Sequence, residues 1–226
     1  YNGRDDLKKG FVNFIGDPDK RIKEDYLRIL RYLRFFLSYS KKFHDKDLIR
    51  KLKLNLNGVS KLSKDRLLDE LKKLFRSENL EKLSKDKICL ELISLIFPEL
   101  KNINIFSKLN SLKRQIVENS DFIFLISLMI VDDTDNSDYF LYKFNLSKKE
   151  EKRIKKISNF YKERGGGFKK FNEKDINEIF YYDGKQAVLD ILNFKIIKSK
   201  KTDNNLIKLS KTYINSQKKI HALSNI

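Results

Sequence analysis

Three charged residues within one short stretch have types and spacing suited to recognising a nucleotide base. They are Glu24, Asp25 and Arg28. On a helix, Glu24 and Arg28 are four residues apart and Asp25 and Arg28 are three apart, so both pairs share a face. A carboxylate offers hydrogen-bond acceptors, and a guanidinium offers a rigid, planar fork of donors. Together they could pair with the edge of a base.

The order of acceptor and donor decides which bases would fit. Cytosine and adenine present an amino donor next to a ring-nitrogen acceptor on their Watson–Crick edges, whereas uracil and guanine present the reverse. An Asp25 acceptor beside an Arg28 donor would therefore suit cytosine and adenine. A wrong base would leave buried polar groups unpaired, at a cost of about 1–3 kcal/mol each. An ordinary helical salt-bridge ladder has the same spacing, so spacing alone leaves both hypotheses open.

Helical periodicity predicts the elements that must position these residues. Apolar residues recur at helical spacing over 21–37, directly after Pro18, which can begin a helix but cannot continue one backwards. Ser63 is predicted to cap the start of another helix that carries four leucines on one face. The remaining predicted helices cover 45–54, 84–97, 107–117, 121–131, 147–162, 172–181, 184–194 and 204–220. The sequence therefore predicts an all-α fold.

Composition limits the classes of protein that remain. The 226 residues include 49 Lys+Arg against 31 Asp+Glu, a net charge of +18, and 40% are hydrophobic. That apolar content supports a folded core and excludes a wholly disordered chain. Only 8 Gly and 2 Pro argue against a β-sandwich or barrel, which needs frequent turns. The positive charge favours a polyanionic partner, most simply nucleic acid.

Membrane and secretory features are not apparent in the sequence. The longest apolar run, 122–131, is far shorter than the roughly 20 residues that span a bilayer. We find no secretory signal, and a single cysteine cannot form an internal disulfide. We therefore expect a soluble, cytoplasmic protein without a membrane partner.

Other motifs that could carry chemistry match their patterns poorly. The acidic cluster at 132–138 lacks the glycine and the final carboxylate of an EF-hand, so we predict a helix-to-helix loop. The three glycines at 165–167 lack the following Lys-Ser/Thr of a phosphate-binding loop and are predicted to be a linker. His44 and His221 are predicted at the surface, and Cys89 in the core. Two histidines and one cysteine are too few for the usual structural zinc site, so we expect no metal site in this chain.

The stretch from Ile15 to Phe35 resembles the neck motif of the class II tRNA nucleotidyltransferases (CCA-adding enzymes) and bacterial poly(A) polymerases. It contains, in order, Ile-Gly-x-Pro, Arg-Ile, Glu-Asp-x-x-Arg-x-x-Arg and Arg-Phe. Residues 2–7 resemble the Gly-x-x-Asp-Leu stretch that leads from the catalytic head of this family into the neck. Residues 62–71 resemble its Ser-x-x-Arg-(Ile/Leu)-x-x-Glu-Leu motif. The resemblance covers about the first third of the chain.

The resemblance implies a role for each matching residue. Asp25 and Arg28 would form a template that pairs with the base of incoming CTP or ATP, and Glu24 would orient Arg28. Arg31 would approach the nucleotide or stabilise the neck. Ser63, Arg66 and Glu70 would support the neck, with Arg66 and Glu70 paired four residues apart.

The resemblance also implies how the chain is organised. Residues 1–19 would be the end of the catalytic head and a connector, and 20–78 the helical neck. A helical body would follow over 79–164, and a helical RNA-binding tail over 165–226. The lysine-rich residues of 148–156 are either a solvated face or an RNA track, and we favour RNA.

The catalytic head of the family is not found in this sequence. That head holds two magnesium ions on an Asp-x-Asp motif that follows a Gly-Ser pair, so we assign no catalytic residue here and expect Mg²⁺ to bind the absent head. We expect this polypeptide to be inactive alone. Because the sequence begins at Tyr1 rather than Met, we interpret the missing head as a truncation or an incomplete sequence.

The resemblance implies the nucleotide-selecting and tRNA-binding part of a tRNA nucleotidyltransferase that adds CMP and AMP to the tRNA 3′ end. A poly(A) polymerase of the same superfamily, adding only AMP, shares the neck motif and remains an alternative. A stand-alone, non-enzymatic helical RNA-binding module is the other alternative. The oligomeric state is left open.

Overall fold

The computed structural model describes residues 3–163, 173–199 and 204–215. All regular elements within these ranges are helices, and the ranges contain no strand, so the predicted all-α fold is confirmed. No helix in the described part is long and apolar enough to cross a membrane.

The described residues divide into two compact units. The first runs to Lys108 and also includes Tyr142–Asn145, whereas the second comprises Leu109–Leu141 and the described residues from Leu146 onward. The four-part division into head end, neck, body and tail stays a prediction.

The first unit is built around α3, the helix that carries Arg28 and Arg31. The buried side chains of α3 include Ile29, Leu30 and Leu33, and those of α5 include Leu71 and Leu74. The helices of this unit are α1 (Gly3–Lys9), α2 (Pro18–Glu24), α3 (Leu27–Tyr39), α4 (Lys46–Leu54), α5 (Lys64–Leu74), α6 (Ser77–Lys85) and α7 (Lys87–Ile96). Two 3-10 segments, Leu56–Lys61 and Ile103–Lys108, follow α4 and α7.

The second unit is built around α9, in which every residue from Ile123 to Ile130 is buried. Its helices are α8 (Ser111–Glu118), α9 (Phe122–Ile130), α10 (Asn136–Lys143, whose last two residues belong to the first unit), α11 (Lys148–Glu163), α12 (Glu173–Lys198) and α13 (Asn204–Asn215). At Gly184 α12 has φ 82° and is interrupted. Glycine tolerates this left-handed conformation, which explains why periodicity predicted separate helices on either side.

Most predicted helix starts agree with caps in the structure. The side chains of Asp45, Ser63 and Asp121 accept backbone N–H groups at the starts of α4, α5 and α9. These side chains satisfy donors that the first turn of a helix leaves unpaired. The helix predicted over 147–162 is also present as α11.

Several boundaries were predicted wrongly. The helix predicted over 107–117 starts at Ser111, because Asn110 caps it, and the helix predicted over 184–194 continues to Lys198. The helix predicted over 21–37 is two helices, because Asp25 leaves the helical conformation between them. The helix predicted over 84–97 starts at Lys87, because Asp86 caps it, and Ser84 belongs to the unpredicted α6. The polar loop predicted over 132–138 ends at Asp135, because α10 begins at Asn136.

Some predictions fall on residues outside the described ranges. They concern the glycines at 165–167, the last residues of the helix predicted over 204–220, and His221.

Candidate functional site

The junction between α2 and α3 places the carboxylate of Asp25 at the start of α3. Asp25 has extended backbone angles of φ −154° and ψ 103°, so its side chain leaves the helical register. Its Oδ1 atom accepts the backbone N–H of Leu27 at 3.1 Å. Aspartate side chains commonly compete for backbone donors in this way, and here the competition separates the two helices.

Arg66, from the first turn of α5, binds the same carboxylate. Its Nη2 atom lies 3.0 Å from Oδ1 and 2.9 Å from Oδ2 of Asp25. The N-cap Ser63 accepts the backbone N–H of Arg66 at 3.4 Å, so the cap of α5 also holds the residue that reaches the junction. The Asp25 side chain keeps 21% of its surface exposed.

Arg28 lies in the first turn of α3 and contacts Glu24, as the sequence predicted. Its Nη1 atom is 3.0 Å from Oε2 of Glu24, and Nη1 of Arg21 lies 2.8 Å from the same oxygen. Asp25 and Arg28 do not form a salt bridge with each other, because the break in the helix turns Asp25 towards Arg66. Each template candidate is thus held by a separate partner.

A buried carboxylate on α5 binds the arginines of the next turns of α3. Glu70 is 2% exposed, and its Oε1 atom accepts Nε of Arg34 at 2.5 Å. Arg31 lies between two carboxylates, with Nε 3.8 Å from Oε2 of Glu70 and Nη1 3.9 Å from Oδ2 of Asp25. The predicted pairing of Arg66 with Glu70 is therefore wrong: Glu70 faces the arginines of α3, whereas Arg66 extends to Asp25.

The network contains more arginines than acids, which favours an anionic ligand. Its members are Arg21, Arg28, Arg31, Arg34 and Arg66, with Glu24, Asp25 and Glu70. Arg31 and Arg66 are 44% and 48% exposed, so part of this charge faces solvent. A planar guanidinium recognises phosphate and base edges better than an ammonium does.

Tyr26, the residue next to Asp25, is fixed by packing on Gly58. This contact was not predicted from the sequence. A Cβ atom placed on Gly58 would lie only 2.1–2.3 Å from three ring atoms of Tyr26. The ring therefore occupies the space that any other side chain at position 58 would need. In the sequence, Gly58 indicates only that a helix ends nearby, because glycine commonly follows the C-terminus of a helix.

Arg34 was also missed as a member of the site. It continues the three-residue recurrence of arginines on α3, but sequence spacing does not reveal that Glu70 lies opposite it. Its guanidinium carbon also lies 4.3 Å from the centre of the Phe35 ring.

His44 was predicted at the surface, and the structure corrects this. Its side chain is only 7% exposed and stacks on Phe36 with ring centres 3.6 Å apart. Its Nδ1 atom lies 3.1 Å from the Tyr32 hydroxyl, and Nε2 lies 3.1 Å from Oδ2 of Asp86. A histidine with these partners is energetically acceptable inside a protein, and no pattern in the sequence indicates them.

Asp86 and Cys89 lie beside this histidine. Burial raises the pKa of the Asp86 carboxyl, but hydrogen bonds from His44 and the backbone N–H of Cys89 outweigh it, so the pKa lies below its ordinary value. Burial raises the pKa of the Cys89 thiol. Cys89 is fully buried, which agrees with its predicted place in the core.

In the second unit, Arg153 binds two carboxylates, while several lysines of α11 remain on the surface. Its Nη2 atom lies 2.8 Å from Oδ1 of Asp190, which is 3% exposed, and it also binds Asp121. The exposed lysines of α11 are Lys148, Lys149, Lys152 and Lys155.

The acidic cluster of the second unit does not fit the paired magnesium ions of a nucleotidyltransferase. Asp135 and Asp138 share Lys162, whose Nζ atom lies 3.3 Å from one oxygen of each. Within the described residues, these carboxylates do not converge with other acids on a common metal position.

Comparisons with known proteins point to one family. No family model matches the chain. Human mitochondrial CCA tRNA nucleotidyltransferase 1 is 42% identical over 76 residues, which are 33% of this chain and 18% of that protein. A CCA-adding enzyme of Staphylococcus saprophyticus is 27% identical over 206 residues, and one of Streptococcus uberis is 26% identical over 207. These matches cover 86% and 91% of the chain.

The chain is related to the CCA-adding enzymes. It spans about half the length of the two bacterial relatives, at 46% and 49%.

The structure brings together six of the residues that the resemblance to CCA-adding enzymes had implied. Glu24, Asp25, Arg28, Arg31, Arg66 and Glu70 surround the α2–α3 junction and the facing side of α5. Ser63 caps the start of α5, the helix that carries Arg66 and Glu70. Their proposed roles in nucleotide binding stay predictions.

Proposed function

We propose that this chain forms the nucleotide-selecting and tRNA-binding part of a CCA-adding tRNA nucleotidyltransferase. The observation that carries the proposal is the α2–α3 junction, where Asp25 and Arg28 are held by Arg66 and Glu24, respectively. Because neither template residue neutralises the other, both can turn polar atoms towards a base.

The hydrogen-bond capacity of Asp25 leaves room for a nucleotide. A carboxylate accepts at about four lone-pair positions. Leu27 and Arg66 contribute one contact each to Oδ1, and Arg66 a further one to Oδ2, so one acceptor position on Oδ2 remains for the amino group of cytosine or adenine.

Arg28 supplies the matching donor. Glu24 lies 3.0 Å from its Nη1 atom, whereas a guanidinium carries five N–H donors. The remaining donors can meet the ring nitrogen of cytosine or adenine. Uracil and guanine present an N–H at that place and would oppose Arg28 with a second donor. The proposed substrates are therefore CTP and ATP.

The lysines on α11 are proposed to attract the tRNA backbone. Lys148, Lys149, Lys152 and Lys155 lie exposed on one helix, and α11 has two acids, Glu150 and Glu151, in its first turn. Binding through such side chains releases counterions, so affinity should fall steeply as salt concentration rises. A cytoplasmic location is part of the same proposal.

Catalysis is assigned to a head of the kind that the family resemblance implies, not to residues of this chain. That head would supply two Mg²⁺ ions, which activate the attacking 3′ hydroxyl and stabilise the charge on the triphosphate. The residues of this chain would select the base and hold the tRNA in position.

An incorporation assay tests the proposal. The chain is fused behind the N-terminal half of the S. saprophyticus relative and given tRNA that ends before CCA, with each nucleotide alone and with all four. We expect two cytidines followed by one adenosine. Runs of adenosine alone would instead identify a poly(A) polymerase. The control is the same N-terminal half joined to its own neck, which should be active. If the control adds nucleotides but the fused chain only binds RNA, the chain is an RNA-binding module.

A further inference from the structure

Three side chains of the first unit with metal-binding chemistry converge at a point separate from the nucleotide site. Nε2 of His44 lies 3.1 Å from Oδ2 of Asp86 and 3.7 Å from Sγ of Cys89. One donor atom of each residue lies within 4.8 Å of those of the other two. In the described part of the chain, these residues are the one such group.

The fold orients each of the three donor atoms. The Tyr32 hydroxyl engages Nδ1 of His44, so Nε2 is the nitrogen that faces Asp86 and Cys89. Nε2 of His44 lies 3.2 Å from Oδ1 and 3.1 Å from Oδ2 of Asp86, and Oδ1 also accepts the backbone N–H groups of Ile88 and Cys89 at the start of α7. Metal-binding histidines commonly donate the N–H of their other ring nitrogen to an oxygen atom, and the Tyr32 hydroxyl oxygen can accept it from Nδ1.

The two distances from Nε2 of His44 are close to the edges of a tetrahedron around zinc. Ordinary Zn–N, Zn–O and Zn–S bonds at a tetrahedral angle place nitrogen and oxygen about 3.3 Å apart and nitrogen and sulfur about 3.5 Å apart. The observed separations are 3.1 and 3.7 Å. Hydrogen bonds among the three side chains fit the same distances, so the metal has to be tested by experiment.

We propose that His44, Asp86 and Cys89 bind one zinc-class divalent cation, with a water molecule as the fourth ligand. Imidazole nitrogen, carboxylate oxygen and thiolate sulfur are all zinc ligands, and three protein ligands suffice when one position stays open. The Asp86 side chain is 27% exposed and provides the route to solvent. On binding, the thiol proton leaves to solvent as the metal–sulfur bond forms.

The bound ion would join parts of the first unit that are distant in sequence. His44 precedes α4, whereas Asp86 and Cys89 form the start of α7. The site does not depend on the proposed nucleotide selection, because its residues are not part of the network around Asp25. It differs from the usual four-ligand structural zinc site, which the sequence excludes.

Titration of the metal-free chain with Co²⁺ tests the site. We expect one Co²⁺ per chain, the visible absorption of tetrahedral cobalt, and a sulfur-to-metal charge-transfer band that zinc abolishes. Cys89→Ser should remove the charge-transfer band, and His44→Gln and Asp86→Asn should each weaken binding at least about tenfold. The control Asp47→Asn, which alters an exposed carboxylate of α4, should bind Co²⁺ like the unchanged chain.

A second measurement does not depend on whether these variants fold. The melting temperature of the unchanged chain should rise when Zn²⁺ replaces a chelator, because a ligand that binds only the folded state stabilises it. An unchanged melting temperature together with no saturable cobalt spectrum would overturn the proposal. That result would identify the cluster as a hydrogen-bonded network only.

Discussion

In the first unit the arginines of α3 lie in a network with carboxylates, whereas in the second unit the lysines of α11 stand on an exposed face. Eight of the eleven arginines of the chain lie in its first 76 residues. Arginine forms directional, two-pronged contacts, while lysine acts as a mobile point charge. The first unit is therefore suited to recognising one chemical group in a fixed place, and the second to attracting a polyanion.

Both units nevertheless contain a buried carboxylate that binds arginine. Glu70 binds Arg34 in the first unit, and Asp190 binds Arg153 in the second. These pairs hold helices together in both units, so positive charge alone does not mark a binding site. What distinguishes the α2–α3 junction is the set of half-exposed arginines beside a partly exposed aspartate.

The largest expected effect concerns the buried pair of the second unit. Arg153→Met would leave Asp190 buried without its main partner, which should cost about 3–5 kcal/mol of stability. Hydrogen exchange should show loss of protection in α9, α11 and α12 of the second unit. The control Lys152→Met removes an exposed charge and should change stability little. Equal effects of the two changes would contradict the structural role of Arg153.

Removing four exposed lysines tests the polyanion-binding face of the second unit. Replacing Lys148, Lys149, Lys152 and Lys155 with Gln should weaken tRNA binding and reduce the slope of log affinity against log salt by about 3. The matched control removes four exposed lysines of the first unit: Lys41, Lys42, Lys46 and Lys64. If this slope falls equally in both quadruple variants, tRNA responds to the overall positive charge and α11 is not the tRNA-binding face.

Gly58→Ala tests how strongly packing fixes the junction of the first unit. The new methyl group would overlap the Tyr26 ring, and relief of such overpacking costs about 1–3 kcal/mol. We expect a lower melting temperature and weaker binding of CTP. Gly3→Ala is the control, because no atom lies within 4 Å of the added Cβ. A Gly58→Ala variant that melts and binds normally would show that Tyr26 does not position Asp25.

A smaller effect concerns a half-buried lysine of the second unit. Burial lowers the pKa of Lys198 to about 8, against the opposing attraction of Asp132 and Asp133. Between about pH 8 and pH 10 the unfolded chain then binds more protons than the folded one, so this group makes stability rise with pH, by on the order of 1–2 kcal/mol. The pKa of the neighbouring Tyr161 is raised by burial from 10.0, so from about pH 10 upward this group has the opposite effect and lowers stability as pH rises.

Comparison of the unchanged chain with Lys198→Gln isolates this contribution, because glutamine keeps a donor for the carbonyl of Val131 without the charge. Denaturant unfolding at pH 8, 9 and 10 gives the free energy of unfolding of both proteins. It should rise more steeply with pH for the unchanged chain than for the variant. Parallel curves would mean that Lys198 does not titrate in this range.

Helical periodicity predicted most of the fold because caps and apolar spacing are local properties. Ser63 and Asp121 could be recognised as caps from their own neighbours. Asp25 could not be recognised as a helix break, because its arginine partner is 41 residues away and the flanking sequence is helical throughout. Asp86 likewise caps α7 within a sequence that reads as one longer helix.

The candidate site was predicted as a set of residues but not as a set of contacts. Glu24 and Arg28 pair as their spacing predicts, although Glu24 ends α2 and Arg28 lies in the first turn of α3. Arg66 and Glu70 have the same spacing and do not pair, because each finds a partner on or near α3. Spacing within one helix cannot predict which neighbouring helix supplies a nearer charge, and the same limit hid the partners of His44.

Base selection by Asp25→Ala and Arg28→Ala variants tests the central claim most directly. In the fused protein, incorporation of C and A is measured against that of U and G. The matched control replaces Asp47 and Arg50 of α4, an exposed pair with the same three-residue spacing and a 2.9 Å contact. We predict that each junction variant loses the preference for C and A by about 5- to 150-fold, the equivalent of about 1–3 kcal/mol, while the control keeps it. A preference that survives both junction substitutions would contradict the assignment of Asp25 and Arg28 as the template.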